Sequence, residues 1–335
     1  MSAEFVHLHL HTDYSLVDGL VRIKPLIKAT ASADMPAIAI TDQHNFFAAV
    51  KLYTAAERAG IKPILGADLR LRDPDDPKKS SRFVLLCQDM VGYLNMSRLL
   101  SRAYIEGQHL GVPMLELDWL DGQTDGLICL SGGRTGILGK ALLNNQAEEV
   151  ETIVTHWQGL FPDRLYLELI RTGREDEERY INAAIDVALQ HELPVVATND
   201  VRFLNAEEFE AHEAKVCIHE GRLLDDPRRP RNYSDQQYLR TPAEMVELFS
   251  DIPEAIENTL EIAKRCNVEL TLGEHFLPDF PVPEGMTIGE FFSQESYKGL
   301  EERLPVLFPD AEVLEQKREE YEARLQIELD VINQM

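Results

Sequence analysis

Between Phe5 and about residue 220, short apolar runs alternate with longer amphipathic stretches, an order that few folds accommodate. Phe5 to His11 alternates strictly and reads as a strand. Met35 to Thr41 is a second strand, followed by a helical pattern from Asn45 to Ala59 that Gly60 stops. Pro63 to Leu71 and Arg82 to Cys87 also read as strands. The charged, Pro-rich stretch 72–81 (RDPDDPKKSS) reads as a solvated hairpin connection. A helix through Tyr93, Leu94, Leu99 and Ala103 comes next. Gly126 to Ser131, Leu165 to Leu169 and Leu193 to Thr198 are further strands, each with a helix behind it, over roughly 148–160, 177–191 and 206–219. At least seven strand-like runs in this order are βα units, whose crossovers wind a sheet in one direction. An α/β barrel of such units is preferred, and an open doubly wound sheet stays open as the alternative.

The 335 residues suffice for one large α/β domain and a smaller piece. The character changes near residue 270, which predicts units 1–270 and 271–335. Pro278, Pro281 and Pro283 make an extended connector, and from Glu284 to Met335 there are 13 acidic residues against 5 Lys and Arg. Leu314, Tyr321, Leu325, Leu329 and Ile332 form a helical stripe. The last residues, Asp-Val-Ile-Asn-Gln-Met, lack a polar tail, as in a chain cut from a longer one.

A formal charge of -25, from 33 Lys+Arg against 58 Asp+Glu, argues against a broad surface for DNA or anionic membranes. The one dense basic run, Asp225 to Arg231, reads as a surface loop salted by its own aspartates. Cys87, Cys129, Cys217 and Cys266 are widely spaced among apolar neighbours and read as buried thiols rather than a disulfide framework. No apolar run reaches the ~18 residues of a membrane span. The start MSAEFVHLHLH lacks a secretory signal, so a cytoplasmic protein is expected.

The sharpest chemical signal is His7-Leu8-His9-Leu10-His11. On a regular strand Phe5, His7, His9 and His11 share one face, and two imidazoles at i and i+2 can reach one ion at about 2.0–2.1 Å per nitrogen. The alternative is a polar face hydrogen-bonded to carboxylates. Asp18, Asp42, Asp68, Asp200 and, less directly, His44 fall near the carboxyl ends of strands, the face where barrel loops converge. Mixed imidazole and carboxylate ligands suit zinc, manganese or iron, with phosphoester chemistry at two or more ions. Gln43, Arg82, Gly133 and Arg202 stand at the same rim. Guanidinium groups repel bound cations but neutralise carboxylates through forked hydrogen bonds. The charge arithmetic therefore predicts Arg82 and Arg202 within salt-bridge distance of Asp18, Asp68 or Asp200, in a site that has lost its metals.

Residues 5–19 (FVHLHLHTDYSLVDG) resemble the first motif of the polymerase and histidinol phosphatase (PHP) domain family. More narrowly, the chain resembles the N-terminal PHP domains of bacterial replicative DNA polymerase III alpha subunits. The further matches are 39–46 (AITDQHNF), 60–66 (GIKPILG), 92–95 (GYLN), 130–134 (LSGGR), 196–200 (VATND), 224–227 (LDDP) and 258–268 (NTLEIAKRCNV). The resemblance implies a distorted (β/α)7 barrel, then a helical segment that begins the polymerase palm. It also implies nine strand-end positions for three ions: His9, His11, Asp18, Gln43, Asp68, Arg82, Gly133, Asp200 and Arg202. His9, His11, Asp18 and Asp200 keep the ligand types, Asp68 replaces a glutamate, Gln43, Arg82 and Arg202 replace histidines, and Gly133 replaces a cysteine. The implied site is a vestigial centre with no catalytic residue of its own, holding at most one weakly bound zinc or manganese ion on His9, His11, Asp18 and Asp200. Magnesium would belong to a polymerase region outside this chain. The implied role is structural support and a platform for the 3′–5′ proofreading exonuclease subunit, with DNA bound only through the full-length polymerase. The alternative is a residual phosphoesterase or pyrophosphatase.

Overall fold

The structure is a computed structural model that describes residues 5–74, 76, 79–275 and 278–335. The chain divides into two compact units, Met1–Leu270 and Thr271–Met335.

In the first unit six strands form one sheet: β1 (Ala37–Gln43), β2 (Lys62–Arg72), β3 (Ser80–Cys87), β6 (Leu127–Leu130), β7 (Leu165–Ile170) and β8 (Val195–Thr198), in that spatial order. The two-residue strands β4 (Gln108–His109) and β5 (Val112–Pro113) pair separately. β1 with β2, β6 with β7 and β7 with β8 are parallel, whereas β3 runs antiparallel to both neighbours. β2 and β3 are thus a hairpin and not a βα unit, as the Pro-rich connection foretold; residues 75, 77 and 78 of that connection lie outside the described residues.

The segment 5–11 lies between β1 and the stretch after β8. Its carbonyls at His7 and Leu10 accept from Ala39 N (3.0 Å) and Thr41 N (2.8 Å) of β1, and His11 N and His9 O bond Val201 just after β8 at 2.9 and 3.1 Å. The expected strand is here an extended segment with one isolated bridge, Leu10 to Val201, rather than a regular ladder. The result is a distorted open half-barrel wrapped by helices.

Alternation along each strand builds both the core and the site. Val6, Leu8, Ala39, Ile64, Val84, Leu86, Ile128, Leu130, Tyr166 and Val196 share one inner cluster with Ile262, Ala263 and Cys266 of the helix Pro253–Arg265. One or two periods further along the same faces stand Gln43 on β1, Asp68 on β2, Arg82 on β3, Glu168 on β7 and Thr198 on β8. An apolar plug therefore underlies a polar rim. The other faces pack against helices such as Ile23–Ser32, whose buried side is Ile23, Leu26, Ile27 and Thr30. All four cysteines are buried free thiols.

In the second unit, helices Ile288–Leu307 and Ala311–Gln334 are joined by contacts from Tyr297 to Gln326 (2.7 Å) and Ser293 to Asn333 (3.3 Å), the pattern of an antiparallel hairpin. Among the described residues no helix is long and apolar enough to cross a membrane.

Candidate functional site

The strict alternation expected for Phe5 to His11 breaks between Leu8 and His9. His7 turns away and bonds Arg240 O at 2.8 Å, while His9 and His11 both enter the rim. That break explains the irregular backbone of the segment.

His9 Nδ1 lies 2.7 Å from Glu168 Oε1, and its Nε2 lies 3.3 Å from both Asp68 Oδ2 and Asp200 Oδ1. All three partners are acceptors, so both nitrogens donate and the ring is an imidazolium. Burial alone would lower its pKa, but the charges of Glu168 and Asp200 outweigh burial and lift it to about 10. His11 places Nδ1 2.8 Å from Asp18 Oδ1 and Nε2 3.0 Å from Asp68 Oδ2.

Asp68 does not stand at a strand end, as expected, but inside β2, because the hairpin carries the strand on to Arg72. The register sets Arg70 opposite Arg82 and Asp68 opposite Val84, so Arg82 reaches diagonally to Asp68 with Nε at 3.2 Å and Nη2 in closer contact. Arg202 is fully buried. Its Nη1 donates to Asp18 Oδ2 at 2.7 Å and its Nη2 to Asp200 Oδ1. Burial would raise the carboxyl groups, but Arg202 holds Asp18 and Asp200, and Arg82 holds Asp68, below the ordinary carboxylate range. Asp18 and Asp200 carry further donors: Tyr233 Oη on Asp18 (3.1 Å), Gln237 Nε2 on Asp200 (2.8 Å) and Arg174 Nη1 on Asp200 (3.1 Å).

The other expected residues have separate tasks. Gln43 sits at the end of β1, where its amide oxygen, oriented to satisfy its neighbours, accepts from Arg70 Nη2 at 3.1 Å. Gly133 follows β6 at φ +57°, and a Cβ there would meet Ile170 Cδ1 at 3.1 Å. Asp42 anchors the loop after the histidines by accepting from Thr12 N (2.6 Å) and Ser15 Oγ (2.8 Å). His44 points elsewhere and accepts from Arg70 N at 2.9 Å. The basic run is a loop in which Arg228 pairs with Asp226 at 3.2 Å, and Arg229 is drawn inward to Glu213.

Among the described residues, His9, His11 and Asp68 are the group able to hold a cation, with donor atoms all within 4.8 Å of one another. These residues fit one weakly bound ion. Asp18 and Asp200, expected to join the histidines, each give one oxygen to Arg202, while the other faces His11 in Asp18 and Arg174 and Gln237 in Asp200. Glu168 was not among the expected residues, although an acid inside the apolar run Leu165 to Ile170 is itself a signal. It also accepts from Thr198 Oγ1 at 2.6 Å.

Two further imidazoles set the acid side of stability. Burial lowers His7 to about 4 and His44 to about 3. The unfolded chain takes up these protons from about pH 6.5 downward, so the stabilisation is present above that pH and is lost as pH falls. His9 has the opposite sign, full below about pH 6.5 and lost as pH rises toward 10. The melting temperature should therefore peak near pH ~6.5 and fall on both sides, with a shallower acid limb in His44→Asn, a residue suited to the left-handed φ of +53° at that position. Calorimetric scans from pH 4.5 to 9.5 check this, and a flat profile would count against the assignments.

A family model described as the PHP domain matches residues 7–172. The DNA polymerase III subunit alpha of Pseudomonas fluorescens is 54% identical over 339 residues, spanning 100% of this chain and 29% of that protein. The subunit alpha of Escherichia coli K12 is 50% identical over 331 residues, spanning 99% of this chain and 28% of that protein. The chain thus spans less than a third of the curated relatives it matches. Among solved structures, an amidohydrolase from Chromobacterium violaceum superposes with a TM-score of 0.43 at 13% identity, covering 59% of this chain and 87% of that one.

Proposed function

The chain belongs to the PHP domain family, as the N-terminal PHP region of DNA polymerase III alpha subunits, and on that premise we propose that it is an architectural and partner-holding domain in which arginines stand in for catalytic metals. The observation that carries this reading is Arg202, fully buried and bonded to both Asp18 and Asp200. Its guanidinium shares one positive charge between two carboxylates that would otherwise look to a cation. Arg82 pairs likewise with Asp68. Carboxylates already paired with the rim's own arginines and His9 have no need of a metal to fold. An ion on His9, His11 and Asp68 would supply Lewis acidity and displace the proton that the surrounding carboxylates favour on His9.

Template-directed DNA synthesis in the cytoplasm is the proposed activity of the whole polymerase, and this region supports it by contact. The proposed partner is the separate 3′–5′ exonuclease subunit. An apolar groove runs between residues 44–47 and the helix Met90–Ile105, with Phe47 60% and Ile105 81% exposed and no carboxylate among its lining residues. Such a groove suits a flexible peptide with apolar anchors. Gel filtration of the 335-residue chain with the exonuclease subunit at micromolar concentration and ~0.15 M salt should show co-elution, weakened in Phe47→Ser/Ile105→Ser. Separate elution, or equally tight binding of the chain to duplex DNA, would remove this reading.

The cluster of His9, His11 and Asp68 gives a second reading some support, a residual metal-dependent phosphoesterase. Manganese-dependent hydrolysis of a phosphomonoester that is lost in His9→Gln would favour it.

A further inference from the structure

We propose that Leu16 is a docking anchor, an exposed leucine held ready for the partner protein beside the apolar groove. This deepens the partner reading above and rests on it. Leu16 lines neither the groove nor the cleft at the barrel mouth. It stands in the loop 12–18 and is 65% exposed.

Its backbone is the first sign. At φ +64° and ψ −47°, with Val17 N donating to Ser15 O at 2.7 Å, Leu16 is the centre of a γ-turn of positive φ, a rare and strained conformation for a residue with a side chain. Both flanks pin the turn. Thr12 Oγ1 and Ser15 Oγ donate to Asp42 at 2.7 and 2.8 Å, and Gly19 packs so closely that a Cβ there would meet Thr12 O at 2.0 Å. In the free chain a leucine here combines strain with exposure, where glycine would take the turn freely. Such a local conflict is expected where a contact outside the chain offsets it.

The surroundings indicate what makes that contact. Tyr14 O accepts from Asn45 Nδ2 at 3.0 Å and Gln43 N donates to Ser15 Oγ at 3.1 Å, so the loop is fixed to residues 43–47 beside the groove. Phe47 and Val50, at i and i+3 around the start of the helix Ala49–Arg58, are exposed as well. Leu16, Phe47 and Val50 continue the apolar surface of the groove, and one partner would cover both. The basic group set among them is Lys51, which donates to Tyr14 Oη and lies 5.1 Å from the centre of that ring; among the described residues it makes no ion pair, although the charge of Asp13 reaches it. A chain of formal charge -25 repels a second copy of itself as it repels DNA. An apolar surface with a lysine suits instead a segment that carries apolar anchors and an acidic residue, which the exonuclease subunit would supply.

Isothermal titration calorimetry of the 335-residue chain with the exonuclease subunit at ~0.15 M salt tests this. Leu16→Gly should bind about tenfold more weakly while melting no lower than the parent, because the turn loses its strain. Leu16→Met, which keeps an apolar anchor, should bind like the parent, and Lys51→Glu should bind more weakly. If the parent does not bind, the partner reading falls and this proposal with it. If the parent binds and Leu16→Gly binds equally well, or weakens binding only while melting far below the parent, the proposal alone fails. A dimer of the parent that sedimentation detects at micromolar concentration and Leu16→Gly abolishes would assign the patch to a second copy and overturn the proposal too.

Discussion

Replacing Arg202 with methionine should destabilise the first unit by about 3–5 kcal/mol, the range for removing one partner from a buried ion pair. The side chain is fully buried and bonded to both Asp18 and Asp200, so its loss leaves two carboxylates short of a counter-charge in a place water does not reach. For a domain of this size that corresponds to a fall in melting temperature of roughly 10 °C. The triple variant Arg202→Met/Asp18→Asn/Asp200→Asn should recover part of the loss, because the amides no longer require neutralisation. Tyr233 and Gln237 can still donate to the remaining amide oxygens. Denaturant titrations of the three proteins measure this. A single variant within 1 kcal/mol of the parent would show that Arg202 is not what holds the rim together.

The second large effect should come from rebuilding the nine-ligand pattern with Gln43→His, Asp68→Glu, Arg82→His, Gly133→Cys and Arg202→His. Without metal this variant should melt well below the parent, since the carboxylate–guanidinium pairs are gone. Gly133→Cys adds its own strain, because φ is +57° and the new Cβ would crowd Ile170 Cδ1 at 3.1 Å; a left-handed L-residue costs about 1–2 kcal/mol. Manganese or zinc should then restore stability, by about 4 kcal/mol at a thousandfold excess over Kd. The fourfold variant that keeps Gly133 should retain a weaker response. Melting curves that ignore added metal in both variants would contradict the idea that guanidinium groups occupy the place of ions.

The rim was legible in the sequence where charge alone decides. Three carboxylates and two arginines at neighbouring strand ends must pair, and Arg82 and Arg202 do pair with Asp68, Asp18 and Asp200. Legibility failed where backbone geometry or distance along the chain decides. Period-two reasoning put His7 with His9 and His11, and the break after Leu8 separates them. It also placed Asp68 at a strand end, since a hairpin that extends β2 past the rim looks like any other short strand. Tyr233 and Gln237 reach Asp18 and Asp200 from more than 30 residues away, through an irregular stretch without periodicity to read. Glu168 was hidden in the opposite sense, a charged residue inside an apolar run whose other members gave a clear strand.

The central claim is that ion pairs internal to the protein have replaced a multinuclear metal centre. Its most direct test is metal content. The unaltered chain would be equilibrated with excess zinc or manganese, dialysed exhaustively and analysed for metal per chain. The account predicts no more than one ion, held by His9, His11 and Asp68 and removable by a mild chelator. A stoichiometry close to three ions per chain would contradict it.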